Sequence, residues 1–167
     1  YVVSRKNQQV IVFAPDGRYH TWINAYAQEF DEIVSIGIDG QNRLYILDKE
    51  GPDVHVFDPY NNYKKSFLKL ANNPKVTIEE ASEINVLDNG DFFILDRDRS
   101  VIIHFDNEGN VVGTFGSQGK SAKGIFEKAV DITHHPEINN RVFVLDRDGK
   151  VIQSFEVPYD PSPDEKT

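Results

Sequence analysis

The residues that most resemble reactive chemistry lie in Gly113–Phe126, GTFGSQGKSAKGIF, which contains Gly119, Lys120 and Ser121. Gly-Lys-Ser ends a phosphate-binding loop, but that loop needs a glycine and four intervening residues before it. It must also open a helix whose N-terminus faces the anion. The required glycine position is Thr114, Gly113 is one residue too early, and SAKGIFEKAVDI follows as a β-rich run. The other candidates are metal chemistries. His134 and His135 are adjacent, and neighbours on a strand point to opposite faces, so one ion cannot easily take both. DNEGN (106–110) offers Asp106 and Glu108 but lacks the distal glutamate that completes a calcium loop. There is no Gly-x-Ser-x-Gly elbow and no cysteine nucleophile. No cofactor is expected. The acids worth testing as metal ligands are Glu83 and Asp131, for a reason that depends on the architecture.

That architecture is a repeat. LYILD (44–48), FFILD (92–96) and VFVLD (142–146) each place an aromatic three residues before Asp48, Asp96 or Asp146. A weaker copy, YVVS, opens the chain with Ser4 in the Asp place. Nine residues after each anchor stands a Phe: Phe13, Phe57, Phe105 and Phe155. Self-similarity at this period, made of short Val/Ile/Phe runs ending at turns such as PDG, DNG and NEGN, predicts four-stranded antiparallel units. The fold class is therefore all-β, a β-propeller. About fourteen strands are expected, a partial or open arc of three and a half blades.

Each anchoring Asp, and Ser4 in its place, is expected to accept backbone hydrogen bonds in the turn that follows. The closing Phe residues are expected in the core. Glu83 and Asp131 fall at matching starts of the inner strands, which makes them the repeated acids near the axis.

The stretch from Val111 to Phe155 resembles an NHL-type propeller repeat: a strand ending in Phe115-Gly116, a Gly-rich loop, Gly124-x-Phe126, an inner strand, an aliphatic-Asp strand and an apolar strand ending in Phe. The likeness runs to about Phe155 and is strongest from Asn85. It implies a ring of six blades, of which this chain covers part. The family's Pro-x-Gly before the inner strand is absent; Ala129 and Asp131 stand there. The expected organisation is a propeller region over 1–156 (partial blade 1–30, blades 31–80 and 81–128, partial blade 129–156) and an acidic, Pro-containing linker over 157–167.

The chain has 167 residues, a net charge of −9 and neither cysteine nor methionine. Acidity disfavours a nucleic-acid partner. No apolar run approaches the roughly 18 residues of a membrane span. Starting inside an apolar run at Tyr1, the chain is expected to be a processed product or a piece of a longer protein, bacterial and extracytoplasmic (periplasmic or cell-surface). The expected function is a non-catalytic scaffold that binds other protein chains or domains. Trp22, Tyr26, Tyr60 and Tyr63 are its candidate contacts. The alternative is part of a propeller lyase or lactonase-like hydrolase, or a ligand sensor, with a metal in the central channel.

Overall fold

The computed structural model describes residues 1–24, 30–49, 52–67, 70, 73–120, 122–135 and 138–156. Tyr26 and the 157–167 tail lie outside them. The described residues form fourteen strands in four antiparallel sheets. Blade 1 is β1 (Val2–Ser4), β2 (Gln9–Phe13) and β3 (Tyr19–Asn24). Blade 2 is β4 (Ile33–Ile38), β5 (Leu44–Asp48), β6 (Asp53–Phe57) and β7 (Tyr63–Phe67). Blade 3 is β8 (Ala81–Val86), β9 (Phe92–Asp96), β10 (Val101–Phe105) and β11 (Val111–Phe115). Blade 4 is β12 (Ala129–His135), β13 (Ile138–Asp146) and β14 (Val151–Glu156). Each blade is a meander whose strands pair in chain order. The inner strands β4, β8 and β12 lie side by side, the arrangement of propeller blades about an axis. No helix among the described residues is long and apolar enough to cross a membrane.

In blades 2 and 3 the repeated motif forms the second strand, which is covered on both faces. LYILD and FFILD are buried at every residue, so they read as continuous apolar runs instead of alternating ones. The outermost β11 has only one covered face and alternates in exposure. Irregularities recur at fixed repeat positions. Each inner strand shifts register near its start, at Ile33/Ser35, Ala81/Glu83 and Ala129/Asp131. Such bulges re-aim side chains, here the residue that begins the axial row. The turn before the last strand of blades 1, 2 and 3 (β2–β3, β6–β7 and β10–β11) needs a positive φ, met by Gly17, Asn61 and Gly109. At Gly109 a Cβ would also come within 2.5 Å of the Phe67 ring of blade 2.

The core is three clusters, one between each pair of neighbouring blades. Val10, Val12 and Ile23 of blade 1 pack on Leu44, Ile46 and Phe57 of blade 2. Tyr45, Leu47, Val54 and Val56 pack on Phe92, Ile94, Ile103 and Phe105 of blade 3. Phe93, Leu95 and Ile102 then pack on Ile132, Val142 and Val144 of blade 4, with Phe126 wedged fully buried among them. Every interior blade thus has a back face toward the preceding blade and a forward face toward the next. Fully burying one such aliphatic side chain contributes roughly 1.5–3 kcal/mol.

The closing Phe positions do not share one environment. Phe57 and Phe105 are core, and Phe155 is partly buried against Phe126 and Phe115. Phe13, expected in the core, is 41% exposed, because it lies on the back face of blade 1, where no described blade covers it.

Candidate functional site

The repeated Asp residues are structural clamps, and their donors lie upstream as well as in the following turn. Asp48 accepts the N–H groups of Asp31 and Glu32 at 2.7 and 2.9 Å. Asp96 accepts those of Glu79 and Glu80 at 2.9 and 3.2 Å, and Asp146 those of Glu127 and Lys128 at 3.0 and 2.9 Å. The residue after each Asp completes the clamp by donating its own N–H to the same segment: Lys49 to Glu32 O, Arg97 to Glu80 O, Arg147 to Lys128 O. The expected bond to the following turn is present at Asp146, from Gly149 N at 3.1 Å, and longer at Asp96, from Arg99 N at 3.4 Å. Each carboxylate therefore pins the entry into its own blade's inner strand. Burial works to raise the Asp146 carboxyl, but the N–H groups of Lys128, Glu127 and Gly149 outweigh it and hold it below the ordinary 3.8.

Blade 1 uses a different device, one that sequence spacing did not disclose. Ser4 offers its backbone carbonyl to Asn7 N at 3.1 Å. Four residues on, Gln8 Oε1 accepts Ile33 N, the first residue of β4, at 2.6 Å. Ser100, four residues after Asp96, does the same through Oγ for Ala129 N, the first residue of β12, at 3.3 Å. Both residues have positive φ, 48° and 50°, and both side chains reach the next blade. The shared offset from the anchor was the only available signal.

The inner-strand acids stand where the repeat puts them. Ser35, Glu83 and Asp131 occupy one position on β4, β8 and β12. Ser35 Oγ donates to Glu83 Oε2 at 2.8 Å. Burial pushes the Glu83 carboxyl up, the Ser35 bond opposes this, and the nearby Asp131 charge adds to it. Beside them a polar cleft of about 90 Å³ is lined by Arg5, Glu32, Lys49, Glu80, Glu83 and Arg97. Its charges pair mainly with one another: Arg97 with Glu80, Lys49 with Glu32 and Glu80 at 3.7 and 3.9 Å. Among the described residues no three His, Asp or Glu side chains gather closely enough to hold a metal ion.

The remaining motifs resolve into turns and packing. Gly119 N donates to Phe126 O and Phe126 N to Ser117 O, so the Gly-Lys-Ser region is closed by its own backbone; Ser121 lies outside the described residues. Asp106 accepts Glu108 N and Asn110 N in an Asx turn. His134 Nδ1 lies 2.9 Å from Asn85 Oδ1, while His135 is exposed. His55 Nδ1 lies 2.8 Å from Ser66 Oγ, with its ring edge-on to Phe30, and burial holds its imidazole below the ordinary 6.5.

Of the candidate contact aromatics, Tyr60 is 84% exposed at a turn tip, and Tyr63 packs on Phe57 and reaches Ser66 Oγ at 2.8 Å. Trp22 is exposed beside Val2 and Ile11, with which it shares a register row on the back face of blade 1. At the other end of the arc, Leu145 and Ile152 are exposed on the forward face of blade 4 and line a depression of about 260 Å³ with Phe143. Among the described residues, exposed large apolar side chains concentrate on these two end sheets: Tyr1, Val2, Phe13, Tyr19 and Trp22 at one, Leu145, Val151 and Ile152 at the other.

No protein-family model matches the chain, and no curated protein sequence does. Solved structures do. Virginiamycin B lyase from Staphylococcus aureus is similar at 12% identity and a TM-score of 0.55, over 93% of this chain and 50% of the lyase. A gluconolactonase from Xanthomonas campestris is similar at 15% identity and a TM-score of 0.58, over 87% of this chain and 43% of that one. The WD40 repeats of RRP9 are similar at 11% identity and a TM-score of 0.55, over 90% and 46%. The chain spans about half the length of each. These proteins include enzymes and WD40 repeats, so what the likeness establishes is the fold: the chain is a β-propeller arc.

Proposed function

We propose that this arc is a binding and assembly module of a larger protein or complex, of the NHL-like kind, and that its end sheets are the contact surfaces. The observation that supports this reading is the concentration of exposed apolar side chains at the two ends of the arc. Contiguous apolar surface of this kind marks interaction sites. Hydroxyl-radical footprinting tests it. Val2, Trp22, Leu145 and Ile152 are expected to label readily in the isolated chain and to be protected in the native assembly. Equal labelling in both states overturns the reading.

A second reading, part of a propeller lyase or hydrolase, draws on the axial Ser35–Glu83–Asp131 row and its raised Glu83 carboxyl. It requires Glu83→Ala and Asp131→Ala to lower metal content and an activity of the native protein. Unchanged values remove its support.

A further inference from the structure

We infer that His55 makes the junction between blades 1 and 2 acid-labile: a proton added to its buried ring releases Phe30 and loosens blade 1, while the junctions on either side of blade 3 hold. The inference does not depend on what the end sheets bind.

One repeat position is filled in three ways. His55, Ile103 and Gln153 each stand seven residues after their anchoring Asp. Each faces the segment that leads into its own blade's inner strand. In those segments Phe30, Ile78 and Phe126 immediately precede the two N–H groups that the Asp holds, and they are 6%, 8% and 0% exposed. In blade 3 the position is apolar, and Ile103 shares a cluster with Ile78. In blade 4 it is polar and fully satisfied. Gln153 Nε2 donates to Ile125 O at 3.0 Å and Ala122 O at 3.3 Å, and Oε1 accepts Gly124 N at 2.9 Å. In blade 2 it is polar and half satisfied. His55 is 5% exposed, and its ring lies edge-on to Phe30 with centroids 4.9 Å apart. Nδ1 meets Ser66 Oγ at 2.8 Å, and Ser66 Oγ meets Tyr63 Oη at 2.8 Å, but Nε2 is buried without a hydrogen-bond partner.

That geometry suits the neutral ring alone. With Nδ1–H donated to Ser66 Oγ, Nε2 is a bare lone pair, whose burial costs little beside that of a charge. A second proton puts an N–H and a positive charge where there is neither an acceptor nor water, and the Phe30 ring is a weak acceptor. The charged groups that act on the ring are Asp48, at the end of β5, and Asp53, at the start of β6. Both favour the proton, and loss of hydration outweighs them. From β7 the titratable group is Tyr63, reached through Ser66. From the entry segment and blade 1 the junction presents Phe30, Val10, Val12 and Ile23. A proton is therefore accommodated by releasing Phe30 and admitting water. Phe30 also packs on Phe57 within the cluster that joins blades 1 and 2, so its release uncovers that junction. The histidines near blade 4 are placed differently. His104 stacks on Phe93 with Nε2 3.5 Å from Asp91 Oδ2, so a proton there meets a carboxylate. His134 is only half-buried, beside Asn85.

Hydrogen–deuterium exchange, corrected for the intrinsic pH dependence of amide exchange, is the test. In the opened state the ring regains its ordinary 6.5. Protection of β2, β3 and the first residues of β4 is therefore expected to fall by up to about tenfold between about pH 6.5 and about pH 5.5. Protection of β9, β10 and β13 is expected to stay level over that range. In His55→Ile, which installs the residue blade 3 uses at this position, the fall is expected to vanish. His134→Gln is expected to retain it. Level protection of blade 1 in the wild type overturns the inference, as does a fall spread evenly over all four blades or one that persists in His55→Ile. Should His55→Ile not fold, the nuclear magnetic resonance signal of the His55 ring in the wild type decides instead. It is expected to titrate over the same pH range as the loss of protection, and a ring that titrates while blade 1 stays protected overturns the inference.

Discussion

Blades 2 and 3 and the two end sheets carry the same repeat and live in different environments. In the interior blades the motif strand is buried on both sides, and the anchoring Asp holds the entry to the inner strand. In blade 4 the same strand has one face covered and one open. In blade 1 Ser4 stands in the anchor's place without its clamp, and the reach to the next blade comes from Gln8. The comparison teaches that a repeat position fixes strand and facing, while the presence of a neighbour fixes its energetic weight.

Substituting matched positions should break the comparison if it is wrong. The largest contrast is expected for leucine truncation. Leu95→Ala should cost about 2–5 kcal/mol in urea unfolding, because it opens a cavity between blades 3 and 4. Leu145→Ala, with a side chain already partly in solvent, should cost about 1 kcal/mol or less. Equal costs would mean that Leu145 is covered in solution.

The next contrast is the anchor. Asp96→Ala leaves the Glu79 and Glu80 N–H groups without their charged acceptor, and about 2–3 kcal/mol of destabilisation is expected. Ser4→Ala should change stability by less than about 0.5 kcal/mol. A large effect at Ser4 would restore it as the fourth anchor.

The smallest expected effect is a pH slope. His55 sits on the back face of blade 2 where blade 3 carries Ile103 and blade 1 carries Ile11. Burial holds the imidazole below its ordinary 6.5, so as pH falls through 6.5 the unfolded chain takes up the proton first and stability is lost. His134 is shifted in the same direction, also by burial. Unfolding temperatures measured between about pH 7.5 and about pH 5.5 should therefore fall less steeply in His55→Ile than in the wild type. An unchanged slope would place the titration elsewhere.

The strands and their order were legible because aliphatic runs, turn residues and the anchor-to-Phe spacing all recur, and each is local in sequence. The anchor's main partners were not legible. Asp96 binds Glu79 and Glu80 across an intervening strand, and no local pattern marks a donor sixteen or seventeen residues upstream. Gln8 was missed for a related reason: its long side chain substitutes for the Ser100 contact by reach, not by residue type. The exposure of Phe13 was missed because periodicity specifies which face a residue occupies, not whether anything lies against it. Of the site candidates, the shared placement of Glu83 and Asp131 followed from the repeat, but the bond from Ser35 joins two blades and is a product of packing.

The Asp clamps have a consequence for how this chain folds. Asp48, Asp96 and Asp146 tie residues only 16 to 19 positions away in sequence, so each closes a short loop at small entropic cost. A blade can organise around its own clamp and then template its neighbour, which favours rapid nucleation in the middle of the arc and growth outward. Opening would run the other way. Backbone amides of β5 and β9 should then exchange with solvent deuterium last, and those of β1 and β14 first, making the arc a structure that frays from its ends while its centre stays closed.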